Sequence, residues 1–217
     1  MSARPVAGRV LLVHGLWMRS FSMHWLATRL RRQGFEADLF GYYSLLQGTD
    51  SVVARLADAL LQRPGTHVLA HSLGGLLGLR AAEQAGAGSV GRIVCLGSPL
   101  AGSQAATSIA SKIPGGAALV GQNRSLLAAG VGRIPAGLHV GAIAGCVPRG
   151  LGGMVARLAG EHDGTVAIRE TRVPGLADHA VVRASHSGLL FSDAAVLRAT
   201  AFLRDGRFER ASQTSAV

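Results

Sequence analysis

The sequence predicts an α/β fold: a mostly parallel sheet of about six strands with helices on both faces. Three observations predict it. Short apolar runs alternate with segments of helical periodicity along most of the chain. At Ala70-His71-Ser72-Leu73-Gly74 an apolar run passes directly into a helical one, leaving Ser72 at the corner. Of the 217 residues 48% are apolar and 16% charged, a balance that excludes disorder and supplies a core without disulfides or a structural metal.

Taken in order, Arg9 to Val13 is a short strand ended by His14-Gly15, and His24 to Arg32 places Trp25, Leu26 and Leu30 on one helical face. Phe35 to Phe40 alternates apolar and polar residues, which predicts a second strand. Ser51 to Leu61 has helical periodicity and stops before Pro64-Gly65. A strand over His67 to Ala70 follows, then a helix from Leu73 to about Ala85. Val90 to Leu96, Leu138 to Ala144 and His179 to Ala184 are further strands, and a helix over Asp193 to Arg204 closes the pattern. With no internal repeat or composition break, residues 1–217 read as a single domain. Two segments break the rhythm. Residues 97–137 are rich in Gly, Ala and Ser and punctuated by Pro99, Pro114 and Pro135, which predicts a long loop or a lid. Residues 145–160 have a similar composition.

Composition also bounds the partners. The net charge is +10, which suits nucleic acid, an anionic lipid surface or an acidic carrier protein. Nucleic acid is not expected, because the arginines are scattered, Lys112 is the sole lysine, and no basic run with interleaved aromatics exists. No run of 18 apolar residues exists to span a membrane. The first 25 residues lack the pattern of a secretory signal, so the expected location is cytoplasmic. Cys95 and Cys146 form neither a disulfide framework nor a metal-ligand spacing, and no metal or cofactor is expected.

The chemistry concentrates at Ser72. A serine on a sharp strand-to-helix turn projects its hydroxyl above the sheet, and the turn demands small residues two before and two after it. Ala70 and Gly74 meet that demand. The helix opening at Leu73 aims its free N–H groups and positive dipole end at an oxyanion beside the serine. A serine becomes a nucleophile only when a base takes its proton and a carboxylate orients the base, and in this arrangement the order along the chain is Ser, acid, His. The histidines far enough along are His139, His162, His179 and His186. His186 follows the last strand and reaches the sheet's carboxyl edge, whereas His179 begins that strand at the opposite edge, so His186 is the expected base. For the acid, Asp163 is followed by Gly164, which lets the chain turn the carboxylate inward; Glu161 and Asp178 are the competitors. Gly15 permits the loop after the first strand to approach closely, so Leu16 N–H and Leu73 N–H are the expected oxyanion donors. His14 and His71 flank the site and read as structural.

These segments carry a resemblance. Val13-His14-Gly15-Leu16, Ala70-His71-Ser72-Leu73-Gly74-Gly75 and Ser185-His186-Ser187-Gly188-Leu189-Leu190 resemble motifs of small lipases and serine esterases of the α/β-hydrolase superfamily, especially minimal bacterial lipases with alanine before the nucleophile. Leu96-Gly97-Ser98-Pro99-Leu100-Ala101-Gly102-Ser103 resembles a segment of bacterial triacylglycerol lipases and inositol-deacylase-like esterases. The similarity covers most of residues 9–203 and is weakest over 104–137. It implies a minimal α/β-hydrolase fold, Ser72 as nucleophile, Asp163 as acid, His186 as base, and Leu16 and Leu73 as oxyanion amides.

The expected activity is hydrolysis of a small or medium acyl ester through an acyl-enzyme. A thioesterase or acyltransferase would use the same triad, and a catalytically silent binding protein is the alternative from another class. Trp17 and Met18, with Phe21, Met23 and Trp25 beyond them, are candidates to line an acyl pocket.

Overall fold

Strands form where the apolar runs fall: β1 (Arg9–Val13), β2 (Glu36–Phe40), β3 (Thr66–His71), β4 (Val90–Leu96), β5 (His139–Gly145) and β6 (Asp178–Val182). The structure is a computed structural model that describes residues 7–149, 158 and 160–208. The strands make one sheet in the order β2-β1-β3-β4-β5-β6, with every pairing parallel. Between them run α1 (His24–Arg32), α2 (Thr49–Gln62) and α3 (Leu73–Ala85), and α7 (Asp193–Asp205) follows β6.

The period-two alternation of strand side chains divides the core in two. Val68 and Ala70 of β3, Ile93 and Cys95 of β4 and Val140 of β5 point to one face, where α2 and α3 cover them through Leu56, Leu60, Leu73 and Leu77. Leu12, Leu69, Val94 and Ile143 point to the other face, against Leu26 and Leu30 of α1 and Phe202 of α7. Strands buried on both faces are what near-continuous apolar runs predict.

Strand order places the site. From β1 the chain steps outward to β2, then returns to the opposite side of β1 as β3. The carboxyl ends of β1 and β3 therefore flank a topological switch point, where open sheets of this kind bind ligands. Val13 is in register with Ala70 and Ala70 with Cys95. Two residues further on, Gly15, Ser72 and Gly97 consequently lie side by side along the carboxyl edge.

Residues 97–137, expected as a long loop or a lid, are not a plain loop. They fold into three short helices, α4 (Gln104–Lys112), α5 (Gly116–Val120) and α6 (Arg124–Ala129). Ser103 caps α4 by accepting from Ala106 N–H at 3.1 Å, and Ala105 and Ile109 point inward. Pro114 and Gly115 separate α4 from α5 rather than abolishing helix, because each helix is short enough to fit between the breakers. Of the stretch 145–160, residues 150–157 and 159 lie outside the described residues.

Candidate active site

Ser72 occupies the corner between β3 and α3 with φ 54° and ψ −124°, a backbone state that side-chain-bearing residues rarely adopt. Such strain costs on the order of 1–3 kcal/mol and persists only where neighbours over-determine it. Here they do. Ser72 N–H donates to Leu96 O at 2.9 Å and its carbonyl accepts from Gly75 N–H at 3.0 Å. A Cβ on Gly74 would lie 2.5 Å from the carbonyl oxygens of both Val13 and His14, and one on Gly15 would lie 2.9 Å from Ser72 Cβ. The elbow and the β1 loop touch backbone to backbone because both positions are glycine.

His186 reaches Ser72 from the turn after β6. Its Nε2 stands 3.0 Å from Ser72 Oγ, and its Nδ1 stands 2.7 Å from Asp163 Oδ2. The backbone fixes this pair as well, since His186 N–H donates to Asp163 O at 2.8 Å. Asp163 is 1% exposed, and its other oxygen accepts from Thr165 N–H at 2.9 Å and Val166 N–H at 2.7 Å. With both carboxylate oxygens committed, Nδ1–H donates to Asp163, which leaves Nε2 as the acceptor facing Ser72 Oγ. Behind the base lies Gly97, where a Cβ would come within 3.2 Å of both Asp163 Oδ2 and His186 Nδ1.

A second imidazole lies beside the first. The His71 ring centre is 4.7 Å from that of His186, and its Nε2 bonds His186 O at 3.0 Å. Burial, reinforced by the neighbouring His186, pushes its pKa down to about 3. A neutral His71 places no charge beside the His186 ring. His14 is buried too, stacked on Tyr42 at 4.1 Å, and burial lowers its pKa. His14 Nδ1 lies 2.9 Å from Gly15 O, and His71 also borders the Ser72 cavity.

The other candidates lie elsewhere. Asp178 sits at the amino end of β6, accepting from Phe208 N–H and His179 N–H, while His179 bonds Thr171 Oγ1. His139 Nε2 contacts Gly206 O, His162 accepts from Gly164 N–H, and Glu161 is exposed. Cys95 is buried in the core, and burial raises its thiol to about 12, so it offers no thiolate. Among the described residues no group of three or more His, Cys, Asp or Glu is placed to hold a metal ion.

Ser72 and His186 open into a cavity of about 360 Å³. Leu16, Trp17 and Met18 form one wall, and Pro99, Ala106, Ile109, Val120 and Leu127 of the 97–137 segment form the roof. The expected lining is therefore met at Trp17 and Met18 only. Phe21 is 72% exposed, Met23 is in the core, and Trp25 packs against Phe191. At the Ser72 end, the N–H groups of Leu16 and Leu73 donate to no other group among the described residues. The roof residues were invisible in the sequence, because a Gly/Ala/Ser-rich stretch gives no signal of what it covers. Arg149, Thr165 and Val166 complete the lining.

No protein-family model and no curated protein matches the sequence. Solved structures do. The mature form of the Bacillus licheniformis lipase BlEst2 superposes with a TM-score of 0.75 at 20% identity, over 95% of each chain. Its propeptide form gives 0.76 at 19% identity, covering all of this chain but 54% of that one, so the chain spans about half its length. Tomato methylketone synthase I, complexed with 2-tridecanone, gives 0.54 at 11% identity, over 84% of this chain and 92% of that one. With its six-stranded parallel sheet flanked by helices and a serine at the β3–α3 corner, the chain has the α/β-hydrolase fold.

Proposed function

We propose that this chain is a serine hydrolase of carboxylic esters. The observation that carries the reading is the unbroken line from Ser72 Oγ through His186 to Asp163, at 3.0 and 2.7 Å, opening on an apolar cavity. An ester seats its acyl group among Leu16, Met18, Ile109 and Leu127, with its carbonyl carbon against Ser72 Oγ. Ser72 attacks as its proton passes to His186 Nε2, and Asp163 stabilises the imidazolium that results. The carbonyl oxygen, now anionic, receives the N–H groups of Leu16 and Leu73 at the positive end of α3; each such donor is worth on the order of 3 kcal/mol in the transition state. His186 then gives its proton to the departing alcohol, leaving an acyl-enzyme. Water, deprotonated by the same nitrogen, releases the acid and restores Ser72.

The cavity lies within the range of roughly 300–1,000 Å³ usual for small-molecule sites, which favours a medium acyl group over a bare acetyl group. Its surroundings favour substrate presented at an anionic lipid surface. Of ten large apolar side chains exposed among the described residues, five lie on segments tied to one another next to the cavity: Trp17 on the loop after β1, Tyr43, Leu45 and Leu46 on the loop after β2, and Leu119 on α5. The net charge of +10 supplies the attraction.

The test is labelling with a fluorophosphonate, beside hydrolysis of p-nitrophenyl esters of rising chain length. Wild-type protein should label and show its best rate at an intermediate length, and Ser72→Ala should lose both, by about 10³-fold or more in kcat. Well-folded wild type that neither labels nor hydrolyses any of the esters overturns the reading.

A further inference from the structure

Among the described residues, two that are not glycine have positive φ: Ser72 at 54° and Trp17 at 59°. They border the two amides proposed as oxyanion donors, since Leu73 follows Ser72 and Leu16 precedes Trp17. The elbow explains the first. Nothing in the proposed chemistry explains the second, and for a residue as bulky as tryptophan such a conformation marks a constraint imposed from outside.

The constraint comes from the loop after β2. Tyr42 Oη–H donates to His14 O at 2.8 Å, and Trp17 N–H donates to Ser44 Oγ at 3.0 Å. The segment His14–Trp17, which carries the Leu16 amide, is thus gripped at both ends by residues two apart in one loop. The inner face of the same segment lies against Ser72 at Gly15. Ser44 is in turn held by the 97–137 segment, because Asn123 Nδ2 donates to Ser44 O at 2.6 Å. Asn123 is 2% exposed and Ser44 5%. The Asn123 carbonyl oxygen accepts from Thr49 Oγ1 at 3.1 Å, which fixes the amide's orientation. A second tie joins the same parts, Trp17 Nε1–H donating to Leu119 O at 2.7 Å.

We propose that Tyr42, Ser44 and Asn123 are positioning residues of the oxyanion hole. None touches the reacting atoms. Acting through the backbone of residues 14–17, they hold the Leu16 N–H where the negative oxygen develops, and Asn123 makes that placement depend on the roof of the cavity. This inference rests on the ester-hydrolase reading. A displaced donor weakens transition-state binding and leaves substrate binding largely untouched, because the amide matters most once the oxygen carries charge.

The experiment uses three substitutions that remove these hydrogen bonds without adding charge: Tyr42→Phe, which keeps the ring stacked on His14; Ser44→Ala, with Ser44→Thr as the conservative variant; and Asn123→Ala, which loses the donor to Ser44 together with the acceptor to Thr49. Active sites are counted by end-point fluorophosphonate titration, so misfolded protein drops out of kcat. The expected result is a fall in kcat of about 10- to 100-fold with KM within twofold. Affinity for a trifluoromethyl ketone of matching acyl chain should fall in proportion to kcat/KM. The pH profile should keep its inflection, and Ser44→Thr should recover most of the rate. Unchanged kcat per titrated site in all three variants, whatever happens to their melting temperatures, overturns the proposal. So does a rise in KM at unchanged kcat, which would make these residues part of substrate binding. If wild type is active through Ser72 and the variants match it, this inference fails alone; if wild type is inactive, the hydrolase reading fails first.

Discussion

His71 is a titratable residue that the fold holds neutral beside His186. It is 1% exposed, and its ring packs against that of His186. Desolvation, the larger effect, and the neighbouring His186 together hold it neutral, with a pKa near 3 against 6.5 in the unfolded chain. Between those values the unfolded state binds a proton that the folded state refuses. The contribution of this residue to stability is therefore complete above pH 6.5 and drains away as pH falls toward 3. His179, lowered to about 4 chiefly by burial, adds to the same slope. Melting temperature should accordingly decline below neutrality, and His71→Gln, though less stable at pH 7, should decline less steeply over that window. Parallel slopes for wild type and variant in a melting series would contradict this account.

Among the elements, the roof over the cavity is joined to the acid's loop by one buried carboxylate. Glu170, 6% exposed, accepts from Gln104 N–H at the start of α4 at 2.8 Å and from Ala167 N–H at 2.9 Å. Its own carbonyl accepts from Ala101 N–H. A negative side chain at the first turn of a nine-residue helix satisfies a free amide and complements the dipole. Glu170→Ala would leave two amides without partners, and a loss of about 2–4 kcal/mol is expected. Urea unfolding would measure it. The same variant should raise KM for longer acyl esters, because α4 carries Ala105, Ala106 and Ile109 into the cavity wall. A stable variant with unaltered KM would show that α4 is held by its apolar contacts alone.

For the whole molecule, charge and apolar exposure act in the same direction. Trp17, which lines the cavity, is exposed, as are Tyr43, Leu45 and Leu46 on the loop that bonds its N–H and Leu119 on the helix that bonds its ring, and Arg19 packs over the Tyr43 ring at 4.8 Å. No helix among the described residues is long and apolar enough to cross a membrane. Under the proposed reading the carboxyl edge of the sheet meets an anionic lipid surface. The protein should then co-sediment with vesicles containing phosphatidylglycerol more than with phosphatidylcholine alone, and about 0.5 M salt should weaken the binding as exposed charges are screened. Leu46→Ser, at a position 79% exposed, should reduce binding without loss of rate on a water-soluble ester. Equal binding to charged and neutral vesicles would remove electrostatic attraction from the account.

Much of the fold was written locally and could be read locally. The helices His24–Arg32 and Leu73–Ala85 were legible, the second with an approximate end, because helical periodicity marks such elements without reference to anything distant. Ser72 was legible for the same reason, since a strand, a corner and a helix are consecutive in sequence. His186 and Asp163 were legible through order along the chain, their turns following β6 and β5. Ser44, Asn123 and Glu170 carried no such mark. Each is a polar residue whose role is set by a partner far along the chain, 79 positions away in the contact between Ser44 and Asn123, and only packing brings the two together. The helices within 97–137 escaped for a related reason. Segments of nine, five and six residues between prolines are too short to be stable helices by themselves, and most of their stability comes from tertiary packing. Local sequence thus determined the sheet, the strand-to-helix corner and the segments that carry Ser72, Asp163 and His186; burial and long-range hydrogen bonds decided how firmly those side chains are held together and what encloses them.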